Sequence, residues 1–94
     1  MTRAEAIALV VAEIDRAESK FPGWPSDPVH AAAVVCEESG ELMQAALNHT
    51  YQWGDGARML PEAVQAAAMA IRFIVGYGSG HYEKRPDTLP KVAT

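Results

Sequence analysis

The chain has 94 residues, of which 49 % are hydrophobic and 21 % are charged, and this composition fits one soluble globular domain. Its formal net charge of −4 excludes the basic surface that a nucleic-acid-binding protein needs, so we expect no nucleic-acid partner. It has no apolar run of roughly 18 residues, and charged residues interrupt positions 1–20, so we expect no membrane span and no signal peptide.

The first predicted helix runs from Arg3 to Lys20. Thr2 and Glu5 have the spacing of a capping box, in which each side chain accepts a hydrogen bond from a free backbone N–H at the helix start. Apolar residues then recur every three or four positions and form one stripe, with the charged residues lying off it. The stripe consists of Ile7, Val10, Val11, Ile14, Ala17 and Phe21. Two prolines and a glycine at 22–25 predict a loop.

The second predicted helix begins at Pro28, after Asp27, and continues to Thr50. An aspartate is a favoured N-cap residue, and a proline at the first helical position leaves no N–H unpaired. Gly40 lies inside this helix, where glycine is less favourable than alanine by about 1 kcal/mol. The glycine is either simply tolerated or marks a close approach by another backbone or a ligand.

The third predicted helix runs from Pro61 to Val75, with one further turn over 57–60 as an alternative start. Glycines at positions 76, 78 and 80 predict the end of the helical region. Between residues 63 and 75 only Gln65 and Arg72 are polar, so this helix needs burial on nearly every face.

These elements predict an all-α fold, an antiparallel bundle of three main helices. Residues 1–80 form the predicted helical domain, and residues 81–94 form an irregular C-terminal tail. Cys36 is the only cysteine, so no internal disulfide can stabilise so small a core. We therefore expect homo-oligomerisation to complete the bundle, as a homodimer or homotetramer. The single cysteine also fits a cytoplasmic location.

Three glutamates lie close together in the middle of the second predicted helix. Glu38 and Glu41 are three residues apart, and Glu37 and Glu41 are four apart, so all three share one side of the helix. No lysine or arginine occurs over 29–57 to offset their repulsion. Either solvent or a divalent cation can stabilise such a group, and the spacing leaves both interpretations open.

The third predicted helix carries a polar stripe with the same spacing as the second. The stripe of the second helix contains Glu38, Glu41, Ala45 and Asn48. That of the third contains Glu62, Gln65, Met69 and Arg72. Antiparallel packing can bring the two stripes together, and the carboxylate and amide oxygens would then suit Mg²⁺ or Mn²⁺.

Two segments resemble the MazG-like nucleotide pyrophosphohydrolases, which belong to the all-α nucleoside triphosphate pyrophosphatase superfamily. They are HAAAVVCEESGEL at 30–42 and EAVQ at 62–65, and the resemblance covers 27–75. The family pattern has EExxE on one helix and ExxD on the next. The resemblance implies an all-α fold and Mg²⁺-dependent hydrolysis of a nucleoside or deoxynucleoside triphosphate to monophosphate and pyrophosphate.

The resemblance also implies roles for individual glutamates. Glu38, Glu41 and Glu62 match the metal ligands of the family. Glu37 and Glu38 are the implied catalytic residues, with Glu37 orienting or deprotonating the attacking water. General chemistry agrees, because a metal neutralises charge on the phosphates while a nearby carboxylate positions the nucleophile.

Gln65 departs from the family pattern, since it stands where the family has its final aspartate. An amide oxygen can coordinate a metal, so Gln65 stays a candidate ligand, but it adds no charge and cannot act as a base. Two alternatives follow: a helical module that binds nucleotide and metal without turnover, and a purely structural helical assembly protein.

Six further residues are candidates for substrate binding through phosphate or base contacts. They are His30, Trp24, Asn48, Arg72, Lys84 and Arg85. All but Asn48 also have a structural interpretation, because tryptophans close the ends of cores, a buried arginine forms ion pairs, basic tails are commonly solvated, and a histidine near a helix start is commonly a surface residue.

Overall fold

A computed structural model describes residues 1–85 of the chain. It contains three α-helices, α1 (Arg3–Lys20), α2 (Pro28–Tyr51) and α3 (Met59–Gly78). Residues 1–85 contain no β-strand, so the predicted all-α class is confirmed. Residues 86–94, which belong to the predicted tail, lie outside the described residues.

The predicted capping side chains, those of Thr2, Glu5 and Asp27, are present at the starts of α1 and α2. The amide of Glu5 donates to Thr2 Oγ1 at 3.1 Å, and the amide of Thr2 donates to Glu5 Oε1 at 3.2 Å. The predicted capping box is therefore present at the start of α1. At the start of α2, Asp27 Oδ1 accepts a hydrogen bond of 3.0 Å from the amide of Val29.

Helix α3 starts within the alternative further turn predicted over 57–60 and extends beyond the predicted end at Val75. It begins at Met59 and continues through Gly76 to Gly78, so the prediction that all three glycines end the helical region was wrong for Gly76. Gly76 instead makes room for a neighbour, since a Cβ there would lie 2.9 Å from Tyr82 Oη. Gly80, with φ of 67°, adopts the left-handed conformation that follows the helix.

The segment after α3 packs back against the connection between α1 and α2. Tyr82 Oη accepts a hydrogen bond of 2.8 Å from Trp24 Nε1 and donates one of 2.9 Å to the carbonyl of Phe73. The amide of Glu83 donates to the carbonyl of Ser26 at 2.9 Å. These bonds anchor the start of the predicted tail, which has no regular secondary structure over 81–85.

Helix α3 is central, because it packs against both α1 and α2. The buried core between them is small and consists of Ala17, Ala68 and Met69, with Val10, Ile14, Trp24, Val34 and Val35 packed around it. The radius of gyration is 16.2 Å, against about 12 Å for a compact domain of this length. A single chain therefore leaves much apolar surface in water.

The composition of α3 also bears on the expectation that no segment spans a membrane. By length and apolar composition alone, this helix could cross a bilayer. Core helices of soluble proteins share these properties, and α3 contains both Glu62 and Arg72. The expected absence of a membrane partner stays a prediction.

Gly40 lies in open space on α2. A Cβ built there would meet no atom within 4 Å other than those of its own helix turn. Within the described chain, therefore, no backbone approaches this glycine closely.

Candidate metal centre

Three glutamates from two helices converge on one point between α2 and α3. Glu38 and Glu41 project from α2, and Glu62 projects from the first turn of α3. One carboxylate oxygen from each lies within 4.8 Å of the others. The stripes of the two helices thus meet at these three residues, which we call the carboxylate cluster.

Two oxygen atoms of the carboxylate cluster are buried without a hydrogen-bond partner. They are Glu38 Oε2 and Glu62 Oε2. Glu62 is only 5 % exposed, and Glu38 is half-buried. Burying a carboxylate oxygen without a partner is unfavourable, because its lost hydration is not replaced. The cluster therefore has unused capacity to bind a donor or a cation.

The environment shifts the pKa values of two glutamates in opposite directions. Burial raises the pKa of Glu38, and the negative charges of Glu41 and Glu62 raise it further. A hydrogen bond from Arg58 holds the pKa of Glu62 below its ordinary value, although burial opposes this effect. Charge repulsion within the cluster is therefore only partly relieved.

Arg58 provides that relief and is the site residue that sequence reasoning missed. Its Nη2 donates a hydrogen bond of 2.8 Å to Glu62 Oε1, and its side chain is 78 % exposed while that of Glu62 is 7 % exposed. The signal that could have found it is the spacing of four residues between an arginine and a glutamate, which places both on one helix face.

A small cleft opens beside the carboxylate cluster. Glu41, Gln44, Asn48 and Arg58 line a cavity of about 150 Å³, together with buried Ala45. A second cavity of about 180 Å³ adjoins it along Asn48 and Arg58 and reaches the loop at 54–56. Asn48, predicted to contact substrate, therefore lies in this cleft.

Glu37 and Gln65 are the other two residues predicted to take part in metal chemistry, and they lie at different places in the fold. Glu37 is exposed on α2, near enough to Glu38 for its charge to raise that residue's pKa slightly. Gln65 is half-buried and lines a groove between α1 and α3, with Leu9 and Glu13 among its neighbours there.

Trp24 and Arg72 form a structural pair at the other end of α3. The Arg72 guanidinium lies 4.8 Å from the centre of the Trp24 ring and donates to the carbonyls of Phe21 and Gly23, at 3.0 and 3.3 Å. Arg72 is ten residues after Glu62, which is about 15 Å along the helix axis. Within one chain, neither predicted contact reaches the carboxylate cluster.

His30, Lys84 and Arg85 also lie away from the carboxylate cluster of the same chain. His30 is exposed in the first turn of α2, eight residues and about 12 Å before Glu38. Lys84 and Arg85 are exposed and follow Glu83, whose carboxylate accepts a hydrogen bond from the hydroxyl of Ser26 just before α2.

Comparison of the chain with protein-family models, with curated proteins and with solved structures gives no significant match. The resemblance to MazG-like enzymes therefore rests on the residues quoted above.

Proposed function

We propose that this protein is a Mg²⁺-dependent nucleoside triphosphate pyrophosphohydrolase of the MazG-like type. The observation that carries the proposal is the convergence of Glu38, Glu41 and Glu62 within 4.8 Å, with two buried oxygens that have no hydrogen-bond partner. An exposed acidic patch would have its oxygens hydrated, whereas Glu62 is almost fully buried. The substrate is a nucleoside or deoxynucleoside triphosphate, and the products are its monophosphate and pyrophosphate.

The donor set of the carboxylate cluster fits a hard divalent cation. Three carboxylates offer only oxygen ligands, which Mg²⁺ and Mn²⁺ prefer, and they leave coordination positions for water and phosphate. When bound, the metal neutralises negative charge on the phosphates and acidifies a bound water. Glu38, Glu41 and Glu62 would hold it, with Gln65 as a further candidate ligand.

The remaining residues of α2 have roles that follow from their positions. Glu37 is exposed beside Glu38, where its carboxylate orients the attacking water and accepts its proton. Asn48 lies in the cleft beside Glu41, where its amide can hydrogen-bond to the substrate. The other five candidates for substrate binding contact substrate only where a second chain brings them to the carboxylate cluster. They are His30, Trp24, Arg72, Lys84 and Arg85.

The active form is a homodimer or homotetramer in which α2 and α3 run antiparallel. A short connection over 52–58 favours antiparallel packing of two helices. Large apolar side chains support the oligomer, since Val29 is 75 % exposed, Ile74 65 % and Val75 61 %. An interface that covers them adds the core that a single chain lacks.

One observation favours an alternative in which the protein binds nucleotide and metal without turnover. Gln65 supplies no charge, and it faces a groove that is lined by α1 residues. The exposed apolar surface by itself is equally compatible with a purely structural helical assembly protein.

Pyrophosphate release tests the proposal directly. The purified protein is incubated with a panel of nucleoside triphosphates and Mg²⁺, and we expect release from at least one of them. Glu38→Gln abolishes release, whereas Asp15→Asn, which removes the same charge from an exposed position on α1, leaves it unchanged. Tight nucleotide binding without release over hours would select the binding module. No Mg²⁺ effect on the melting temperature would select the structural protein.

A further inference from the structure

We propose that Arg58 is an exchangeable counter-ion of the carboxylate cluster: the metal displaces it from Glu62, and the freed guanidinium then binds the phosphates of the substrate. This inference rests on the proposed function and deepens it. It concerns a residue that the family pattern quoted above does not contain.

The first step is competition for Glu62. Arg58 Nη2 lies 2.8 Å from Glu62 Oε1, while the second oxygen of the same carboxylate is buried and has no partner. A divalent cation held by the carboxylate cluster would place two further positive charges within a few ångströms of the guanidinium. Repulsion between those charges weakens the ion pair, so metal and arginine oppose each other at Glu62.

The second step is the release of Arg58 into the cleft. Its side chain is 78 % exposed, so no packing holds it in the ion pair. It already lines the cavity that contains Glu41 and Asn48, which lies beside the metal-binding oxygens. A planar guanidinium forms two parallel hydrogen bonds with phosphate oxygens, so the phosphates of a metal-bound substrate are the partner expected for it there.

The test compares Arg58→Gln with Arg16→Gln. Arg16 forms an exposed ion pair with Glu13 on α1, so its loss gives the same charge change away from the carboxylate cluster. Mg²⁺ binding is measured by calorimetry, and inorganic tripolyphosphate with Mg²⁺ serves as the phosphate probe. We expect Arg58→Gln to bind Mg²⁺ about fivefold more tightly than wild type and Mg²⁺-tripolyphosphate about tenfold more weakly. Arg16→Gln should stay within about twofold of wild type for both ligands.

Arg58→Lys separates charge from geometry. Because lysine retains the charge without the planar fork, this variant should recover only part of the tripolyphosphate affinity. Far-UV circular dichroism establishes that each variant keeps its helices.

The outcomes distinguish this inference from the proposed function. Absence of Mg²⁺ binding by the wild-type protein would overturn both. If wild type binds Mg²⁺ but Arg58→Gln binds it equally or more weakly, the competition is refuted and the metal site stands. Unchanged tripolyphosphate affinity in Arg58→Gln would likewise refute the phosphate contact.

Discussion

Glu38 and Glu62 lie on different helices, yet a carboxylate oxygen of each lies within 4.8 Å of one from the other, and both residues have a buried Oε2 atom without a hydrogen-bond partner. Repulsion between the two negative groups opposes folding, and the ion pair of Glu62 with Arg58 relieves only part of it. A cation bound at the carboxylate cluster, as proposed above, would relieve the rest and stabilise the protein, and the first prediction tests this.

Glu38→Gln should raise the melting temperature in metal-free buffer at neutral pH and remove the stabilisation by Mg²⁺. The amide removes the repulsion with Glu41 and Glu62, which is worth a few tenths of a kcal/mol per pair. Thermal melts with chelator and with Mg²⁺ measure both effects, and Asp15→Asn is the control. A variant that Mg²⁺ still stabilises as strongly as wild type would contradict the site.

The difference in stability between wild type and Glu38→Gln should depend on pH, and the direction of the Glu38 pKa shift fixes its sign. The pKa of Glu38 is raised in the folded state, so the folded protein binds this proton more tightly than the unfolded chain. The protonated Glu38 carboxyl therefore stabilises the folded protein below the ordinary pKa of glutamate. This contribution is lost as pH rises from that ordinary pKa through the raised pKa of Glu38 in the folded state. Melts without metal should therefore show the advantage of Glu38→Gln over wild type growing across that range and then staying constant. An advantage that shrinks with rising pH would show that the pKa shift has the opposite sign.

Gly40→Ala should stabilise the protein by roughly 0.5–1 kcal/mol, because alanine favours helix and the new Cβ would meet no atom of residues 1–85 beyond its own helix turn. Urea unfolding measures the change, and Gly23→Ala in the loop, where space is equally open, is the comparison outside a helix. Destabilisation by Gly40→Ala would instead indicate that a partner subunit or ligand packs against this part of α2.

Tyr82→Phe should lower the free energy of unfolding by about 1–2 kcal/mol, since it leaves Trp24 Nε1 and the carbonyl of Phe73 without their shared partner. Tyr77→Phe removes the same hydroxyl from a side chain that is 78 % exposed, and it should change stability little. Equal unfolding midpoints for the two variants would mean that the packed segment after α3 does not contribute to stability.

Ile74→Glu should reduce the molecular mass in solution. Ile74 lines an apolar cavity of about 330 Å³ with Val35 and Phe73, where a subunit interface would place it out of water. A buried, unpaired carboxylate costs several kcal/mol, which is enough to dissociate a small dimer. Sedimentation velocity of wild type should give a multiple of 10.1 kDa. A wild-type monomer at all concentrations would contradict the proposed assembly.

Sequence patterns within one helix turn predicted most of the helices, whereas contacts between residues far apart in the chain were found only in the structure. The capping box at Thr2, the N-cap at Asp27 and the glutamate spacing on α2 depend on neighbours within one helix turn, so the sequence predicted them. Trp24 and Tyr82 are 58 positions apart, and no local pattern indicates that they share a hydrogen bond. The helical conformation of Gly76 follows from that same distant contact.

The predictions for charged residues show the same division. Helical spacing fixes that Glu38 and Glu41 share a face of α2, whereas the approach of Glu62, which lies on α3, depends on how the two helices pack. Arg72 was predicted to meet a carboxylate or a phosphate, but its guanidinium donates to the carbonyls of Phe21 and Gly23. The path of a loop decides which carbonyls are free to accept, and sequence spacing carries no information about that path.

Three of the buried side chains are alanine methyl groups, those of Ala31, Ala45 and Ala68. Where helices pack through such small side chains, their spacing depends on the few atoms that those side chains carry. For the cation proposed at the carboxylate cluster, the ionic radius that fits would then depend also on residues that do not touch it. Selectivity among divalent metals in this protein should accordingly respond to Ala45→Gly or Ala45→Ser as well as to changes in the ligands themselves.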